Sequence, residues 1–590
     1  MIKLEPKDFK NLLKAAAGEI PADLLLKNGR IINVFTGEIL PGNIYISQGF
    51  IVHVEYDQID RYDAADHIVD LEGQYVSPGF IDSHMHIESS MLTPRHFAEA
   101  VIPHGTTNIV TDPHEIGNVL GIEGVRYMHE SSADLPMRQL IDIPSCVPSL
   151  PGKEFTGADF TSSEILQLAS LDRVIGLAEV MDFLAVIHGD SRMMKILDVA
   201  RSKNLYLQGH APAVSGRMLS AYLCGGPCTD HESSNSAEAY EKYRAGMYID
   251  MRESSITKNV NEIWKGLKSS RYFDTLCLCT DDRESEDLLR DGHINAVIRT
   301  AVEAGMNPVD AIKSSTINTA REIHMEHLGA IAPGYTADIC VLPDLKSFEP
   351  SQVYYGGTKV AEHGVLSVDI PHKEYPLEKL NTMNFKELKE NDFVLNAPIE
   401  KGNIKVNIIS MNDHSSAVSQ LKTIELPVEN GHIVLNNPEL KFIAVVNRFG
   451  MDHIAIAVVE NSGLMKGCIA STVSHDSHNL TIVYDTPEDA LKAASALKEC
   501  KGGLAAVEKG KILSVLPLPI AGLLSDKDAE TTASYAENMK EADRRLGMTD
   551  IPNPLLRTAV FALPVIPFVK MTDMGMIDVL TKKYIPIYPR

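Results

Sequence analysis

Cysteine is scarce in this chain. Eight residues in 590 are too few to staple a fold of this length with disulfides. Cys224 and Cys228 are spaced C-x-x-x-C, and Cys277 and Cys279 C-x-C; neither is the usual half of a structural zinc site. Basic residues are outnumbered, 55 Lys and Arg against 79 Asp and Glu, and the formal charge of -24 argues against a nucleic-acid backbone as partner. No apolar run approaches the roughly 18 residues of a membrane span. The opening MIKLEPKDFKNLL lacks an apolar stretch after a basic start, so the expected setting is the cytoplasm, with no membrane partner. G-x-G-x-x-G after a strand and G-x-x-x-x-G-K-[ST] are also missing, and with them dinucleotide and P-loop nucleotide binding. What fits is a small ligand, neutral or weakly charged.

At 590 residues the chain exceeds the size at which one core stops growing, so two or three domains are expected. Asp8 to Ala17 reads as a short helix. Short apolar runs then alternate with the turn signals Asn28-Gly29, Thr36-Gly37 and Pro41-Gly42, the pattern of a small β-rich element. It leads into QYVSPGFIDSHMHIESSM, Gln74 to Met91, an apolar strand ending in two histidines. Residues i and i+2 of a strand share a face, so His84 and His86 are placed to grip one metal ion.

After His86, strand and helix patterns alternate. Strands are expected at Phe80 to His84, Thr107 to Thr111, Gln139 to Pro144, Val174 to Val180, Leu205 to His210, Pro227 to His231, Met247 to Arg252 and Leu276 to Thr280. Eight βα units predict a (β/α)8 barrel, whose chemistry gathers at the C-terminal strand ends. Five of the eight runs end in metal-ligand types: His84 and His86, Glu179, His210, His231 and Asp281. Nitrogen and oxygen donors suit zinc, iron or manganese better than calcium or copper(I). Six donors are too many for one catalytic ion and suit two that share a carboxylate. Glu179 is the expected bridge, with His84, His86 and Asp281 on one ion and His210 and His231 on the other.

HMHIESSM, TDPHEIGNVLG, PSCVP, GLAEVM, GHAPAVSG, DHES, RAGMYIDMRE, CTDDR, LGAIAPGYTADICVL and STVSHDSHNL together resemble the adenine deaminase family of the amidohydrolase superfamily. The likeness runs from about Ala22 to PLPIAGLLS. It implies hydrolysis of adenine to hypoxanthine and ammonia at a centre of two divalent ions, manganese or iron favoured and zinc open. It also implies a purine as the small-molecule partner and a homo-oligomer, a dimer or larger. Water activated by metal would attack C6 of the purine, and Asp281 stands where the family places the base that takes its proton.

Attack at C6 pushes electrons onto N1, so an acid is needed there, and Glu88, Glu115 and Glu232 are the candidates. Each is equally suited to orienting a histidine. Asp230 and Asp282, one residue off the ligands, are expected to point away and serve the structure. After the second strand, Asp112, His114, Glu115 and Asn118 are placed to contact the purine, though Asp112 also suits a turn. His475, Asp476, His478 and Asn479 form a polar cluster that reads as a surface turn, or else closes the site or binds a further ion.

The fold implied is α/β: a (β/α)8 TIM-like barrel with a small β-rich composite domain and a C-terminal α+β domain. Residues 1–75 and 329–372 make the composite domain, 76–328 the barrel, 373–394 a polar linker and 395–590 the C-terminal domain. One departure stands out. Where the family reads E-R-H, this chain has Asn447-Arg448-Phe449, which puts a role for the C-terminal domain in the site in question. Three other readings stay open: a non-catalytic barrel, which the full ligand set disfavours; cleavage of a cyclic amide, whose families carry a lysine where Glu179 stands; and another aminated base as substrate.

Overall fold

The computed structural model describes residues 6–56, 64–371, 377–414, 416–566 and 568–589. Asp8 caps the opening helix Phe9–Ala16 by accepting from the Asn11 amide at 3.0 Å, as an N-cap aspartate should. All eight strands expected after residue 76 are present. They are β1 (Phe80–Met85), β2 (Thr106–Thr111), β3 (Arg138–Ile143), β4 (Val174–Val180), β5 (Tyr206–Gly209), β6 (Thr229–Asp230), β7 (Tyr248–Arg252) and β8 (Leu276–Cys279). Helices such as Pro94–Val101, Ser191–Ser202 and Val260–Leu267 separate them. β1, β2, β4 and β8 are buried along their whole length and β3 beyond Arg138, which is why their sequences read as largely apolar runs.

The ladder corrects the expectation of one uninterrupted eight-stranded sheet. β1 to β5 form one curled parallel sheet and β6 to β8 a second. Backbone hydrogen bonds join them at both seams, Cys228 N to the Leu207 carbonyl and Asp281 N to the His84 carbonyl, each 3.0 Å, and His86 N to the Asp281 carbonyl at 3.5 Å. β6 is short because Gly225, Gly226 and Pro227 precede it, and proline has no N–H to give a ladder. Gly209 ends β5 where that strand meets β6. A side chain there would sit 2.1 Å from the Thr229 carbonyl, so only glycine lets the backbones approach just before His210.

Chain on both sides of this unit builds one nine-stranded sheet. Tyr75–Pro78 pairs antiparallel with Ile339–Leu342, so the segment leading to β1 is fastened to the segment leaving the last helices. The C-terminal part carries a second nine-stranded sheet from Gly402–Met411 to Lys511–Pro517, backed by the helix Pro487–Glu499. Thr486 caps that helix and proline opens it, both favoured positions. The expected polar linker lies partly outside the described residues. Its described part buries Met383, Phe385, Leu388 and Phe393 in the C-terminal core instead of running through solvent.

Candidate metal centre and active site

The strand ends converge. His84 and His86 share a face at the end of β1, with rings 4.8 Å apart, and His231 stacks on His84 at 4.0 Å. Asp281 Oδ1 lies 3.6 Å from His84 Nε2 and 3.3 Å from His86 Nε2. Glu179 sits between the two sides, Oε1 3.6 Å from His86 Nε2 and Oε2 3.2 Å from His231 Nε2. His210 Nδ1 hydrogen-bonds the same Oε2 at 2.6 Å. All six expected donors are thus brought together, buried except for His210, which is half-buried.

Adjacent donors around an ion with bonds of about 2.1 Å stand roughly 3.0–3.4 Å apart, close to most of these separations. His84 Nε2 and His231 Nδ1 are buried with no hydrogen-bond partner among the described residues. A buried polar nitrogen without a partner is costly unless something binds it. The cluster is suited to divalent metal ions. Among its groupings are His84, His231 and Asp281, and Glu179, His210 and His231, each with ligand atoms within 4.8 Å.

The supports around the ring were not legible in the sequence. Gln208 Oε1 meets His84 Nδ1 at 2.9 Å and the Asp112 carbonyl meets His86 Nδ1 at 2.9 Å, the partners that fix the orientation of ligating histidines. Arg252, at the end of β7, donates to Glu232 Oε1 at 2.5 Å and also to Asp281 Oδ2. Its sequence signal is a charged residue at a strand end, which is not of metal-ligand type. Burial works against the ionised form of Asp281, yet Arg252 and the histidines hold its carboxyl well below the usual range.

The three candidate acids sit in different surroundings. Glu232 also desolvates, but Arg252 and His210 keep its pKa low. Glu88 accepts from the Ile116 amide at 3.3 Å; burial and the neighbouring Glu115 push it up to about 8. Glu115 accepts from Ser89 Oγ at 3.2 Å, and its Oε2 lies 3.7 Å from His478 Nε2. Asp112 Oδ2 pairs with His114 Nδ1 at 3.1 Å, and that nitrogen is 3.5 Å from Glu179. Burial opposes the charge on His114, but Asp112 raises it to about 10. Asn118 bonds the His114 carbonyl at 2.9 Å and supports the helix start.

Asp230 is structural, as expected: Lys242 Nζ is 3.0 Å away and Ser233 Oγ 2.6 Å. Asp282 is not turned away. It accepts from Ser89 Oγ at 2.6 Å and lines a narrow pocket with Ser89, Ile256, His475 and Val473. The reason is local, because Asp281 has φ +57° and ends the alternation that would have pointed its neighbour outward.

The HDSHN segment is no surface turn. His478 is fully buried and Asp476 nearly so, and His475 lines the pocket just described. Asn479 donates to the Phe155 carbonyl at 2.8 Å, tying this loop to the segment after β3. Within Asn447-Arg448-Phe449 the arginine that the E-R-H pattern shares keeps the loop in place: buried Arg448 donates to the carbonyls of His478 and Ala521 and to Thr382, while the departing Asn447 bonds Asp573 at 2.9 Å.

Comparison with known proteins now bears on this arrangement. Residues 75–360 match the amidohydrolase family model and residues 416–583 the adenine deaminase C-terminal domain. Adenine deaminase 2 of Carboxydothermus hydrogenoformans is 39% identical over 98% of this chain and 100% of its own length. The chain belongs to the adenine deaminase family. Two other members, from Moorella thermoacetica and Kosmotoga olearia, are 38% and 36% identical over 98% of both partners. The family match spans the strand-end ring and the HDSHN loop alike.

Proposed function

We propose that this chain hydrolyses adenine to hypoxanthine and ammonia. The observation that carries the reading is a six-donor ring at converging strand ends roofed by a segment of the adenine deaminase C-terminal type. The two parallel sheets are read as one (β/α)8 barrel, supported by the backbone bonds that bridge both seams. Manganese or iron is the preferred metal, with zinc acceptable to the same donors. His84, His86 and Asp281 would hold one ion, His210 and His231 the other, and Glu179 both. When bound, such ions lower the pKa of the water they hold from 15.7 to about 7 and so supply a nucleophile at neutral pH.

The chain's own residues handle the protons. Asp281, ionised beside Arg252, takes a proton from the attacking water. Burial and the neighbouring Glu115 raise the Glu88 carboxyl to about 8, which favours its protonated form, and Glu88 is the group that gives a proton to N1 as electrons arrive there. Glu232, paired with Arg252, stays ionised and serves to position that guanidinium. Asp281 passes its proton to the amino group, the C6–N bond breaks and ammonia leaves. The new hydroxyl sheds its proton to Glu88 as the C6 carbonyl forms, which closes the balance. Two carboxyls with pKa values driven apart divide the base and acid roles.

The test is ammonia release from adenine, with guanine, cytosine, adenosine and dihydroorotate alongside, by protein loaded separately with manganese, ferrous iron and zinc. Release from adenine is expected. Two ions per chain with no release from any aminated base would overturn the reading and favour cyclic amides.

A further inference from the structure

We infer that Glu115 and His478 together read the N9–H and N3 edge of the purine, so that the C-terminal segment selects a free base over one substituted at N9. The inference rests on the proposed reaction for the identity of the ring and adds which atoms recognise it. His478 Nδ1 accepts the Ser474 backbone N–H at 3.2 Å. An imidazole nitrogen that accepts an amide proton carries none itself, so in the neutral ring Nε2 bears the hydrogen and is a donor. Burial, with His475 and Arg448 nearby, keeps the ring neutral.

That donor has no hydrogen-bond partner among the described residues, and neither has Glu115 Oε2 beside it. The two atoms are 3.7 Å apart, too far for a hydrogen bond to each other, and both residues are fully buried. Among the described residues no lysine or arginine pairs with Glu115. A buried donor and a buried acceptor side by side, each unsatisfied, carry a free-energy cost that a complementary ligand edge relieves.

Their positions are fixed. Ser474 Oγ bonds Thr481 Oγ1 at 2.7 Å, His478 N bonds the Ser474 carbonyl at 2.8 Å and Arg448 holds the His478 carbonyl. On the other side Glu115 is held by its place in the first turn of the helix His114–Leu120. The pair is therefore preorganised for a ligand offering one N–H and one ring nitrogen.

Adenine offers three such neighbouring pairs around its rim. Two of them, N1 and N7 each with the exocyclic amino group, contain the group that leaves and must face the strand-end ring. With C6 turned to that ring and N1 to Glu88, the remaining pair is N3 with N9–H. His478 Nε2 then donates to N3, and the Glu115 carboxylate accepts from N9–H. A glycosyl or methyl group on N9 removes the proton and adds bulk at the same point.

Hypoxanthine keeps N3 and N9–H and is not turned over, so calorimetric binding to the metal-loaded full chain isolates this edge. Wild type should bind 9-methylhypoxanthine and 3-deazahypoxanthine roughly 10- to 100-fold more weakly than hypoxanthine. His478→Phe, which keeps the ring volume, should lose the discrimination against the 3-deaza base and retain that against the 9-methyl base. Glu115→Met should do the reverse, and either variant alone suffices if the other does not fold. Equal affinity for the three bases in wild type, discrimination unchanged in a folded variant, or no binding of hypoxanthine overturns the inference. Ammonia release from adenine in the same preparation separates the two readings. Release without edge discrimination sinks this one alone, and edge discrimination without release sinks the reaction alone.

Discussion

The strand-end ring and the seam beneath the HDSHN loop are built from the same side chains, buried carboxylates and histidines, yet their carboxylates behave in opposite ways. In the ring, Glu179 and Asp281 lie against five histidines and Arg252, and although burial opposes it, such neighbours hold both well below the usual carboxylate range. At the seam, burial dominates. Glu88 is pushed to about 8 with Glu115 as its neighbour, and Glu154 to about 8 with Asp476 near it. Cationic neighbours, not residue type, decide which carboxyl is ionised. The difference gives one molecule a base and an acid within a single cleft.

The largest break in this comparison comes from removing the base. Asp281→Asn should cut kcat roughly a thousandfold or more, at the upper end of what a positioned proton acceptor contributes. Part of the metal should remain, since His84 and His86 still converge. Metal analysis alongside kcat checks both, and full activity in Asp281→Asn would remove the residue from its role. Glu179→Gln acts on the same side but through binding. It should lower metal content, and two ions per chain in that variant would refute a shared carboxylate.

Removing the acid is the next largest effect. Glu88→Gln should reduce kcat by roughly a hundredfold. The sign in pH follows from the raised pKa: Glu88 donates only while protonated, so activity is present below its pKa and lost as pH rises through it. Bound cations draw the value down from about 8, and the basic limb of kcat belongs at or below that pH. The limb should disappear in Glu88→Gln, and its persistence would hand the acid role to another group.

How much of this was readable in advance follows the same division. The strands and the six donors at their ends were legible because burial on both faces writes apolar runs, and ligands fall where those runs stop. Supports such as Gln208 and Arg252 were not, because no periodicity marks a residue whose partner lies across the ring. The inward turn of Asp282 is hidden from the sequence because a positive φ at Asp281 leaves no trace in residue alternation. The HDSHN loop was visible as a cluster, but its place over Glu115 depends on a contact between residues 363 positions apart, which sequence pattern does not carry. The two-residue β6 shows the limit for the fold itself: proline and glycines shorten a strand without erasing its place in the order.

Arg252 sharpens the comparison, since it pairs directly with carboxylates of the ring, whereas among the described residues no lysine or arginine pairs with Glu88 or Glu115 at the seam. Arg252→Met should let the pKa of Asp281 and Glu232 rise and lower kcat by roughly 10- to 100-fold, the usual effect of losing a group that orients a ligand. Arg252→Lys should recover part of the loss, as charge without the planar fork. A KM shift with kcat unchanged would instead make Arg252 a substrate contact.

The smallest effect is expected where the C-terminal segment is pinned to the strand-end side by charge. Lys540 on the helix Ala529–Arg545 reaches Glu284 at 2.5 Å and Glu286 at 3.0 Å, just beyond β8. Asn553 also bonds Glu284 at 2.6 Å, so one carboxylate has two holders from the distant segment. Lys540→Met leaves the apolar stem and the Asn553 bond but strands two buried acids. The pair is partly wet, with the Lys540 side chain 18% exposed, so the cost should be about 1–2 kcal/mol and not the larger value of a fully buried pair. In a chain of this size that is a drop of roughly 1–2 °C in Tm, with kcat at low temperature little changed. A much larger fall in kcat than in Tm would mean that this contact holds the HDSHN loop over Glu115, and that the seam and the ring are coupled more tightly than their separate electrostatics require.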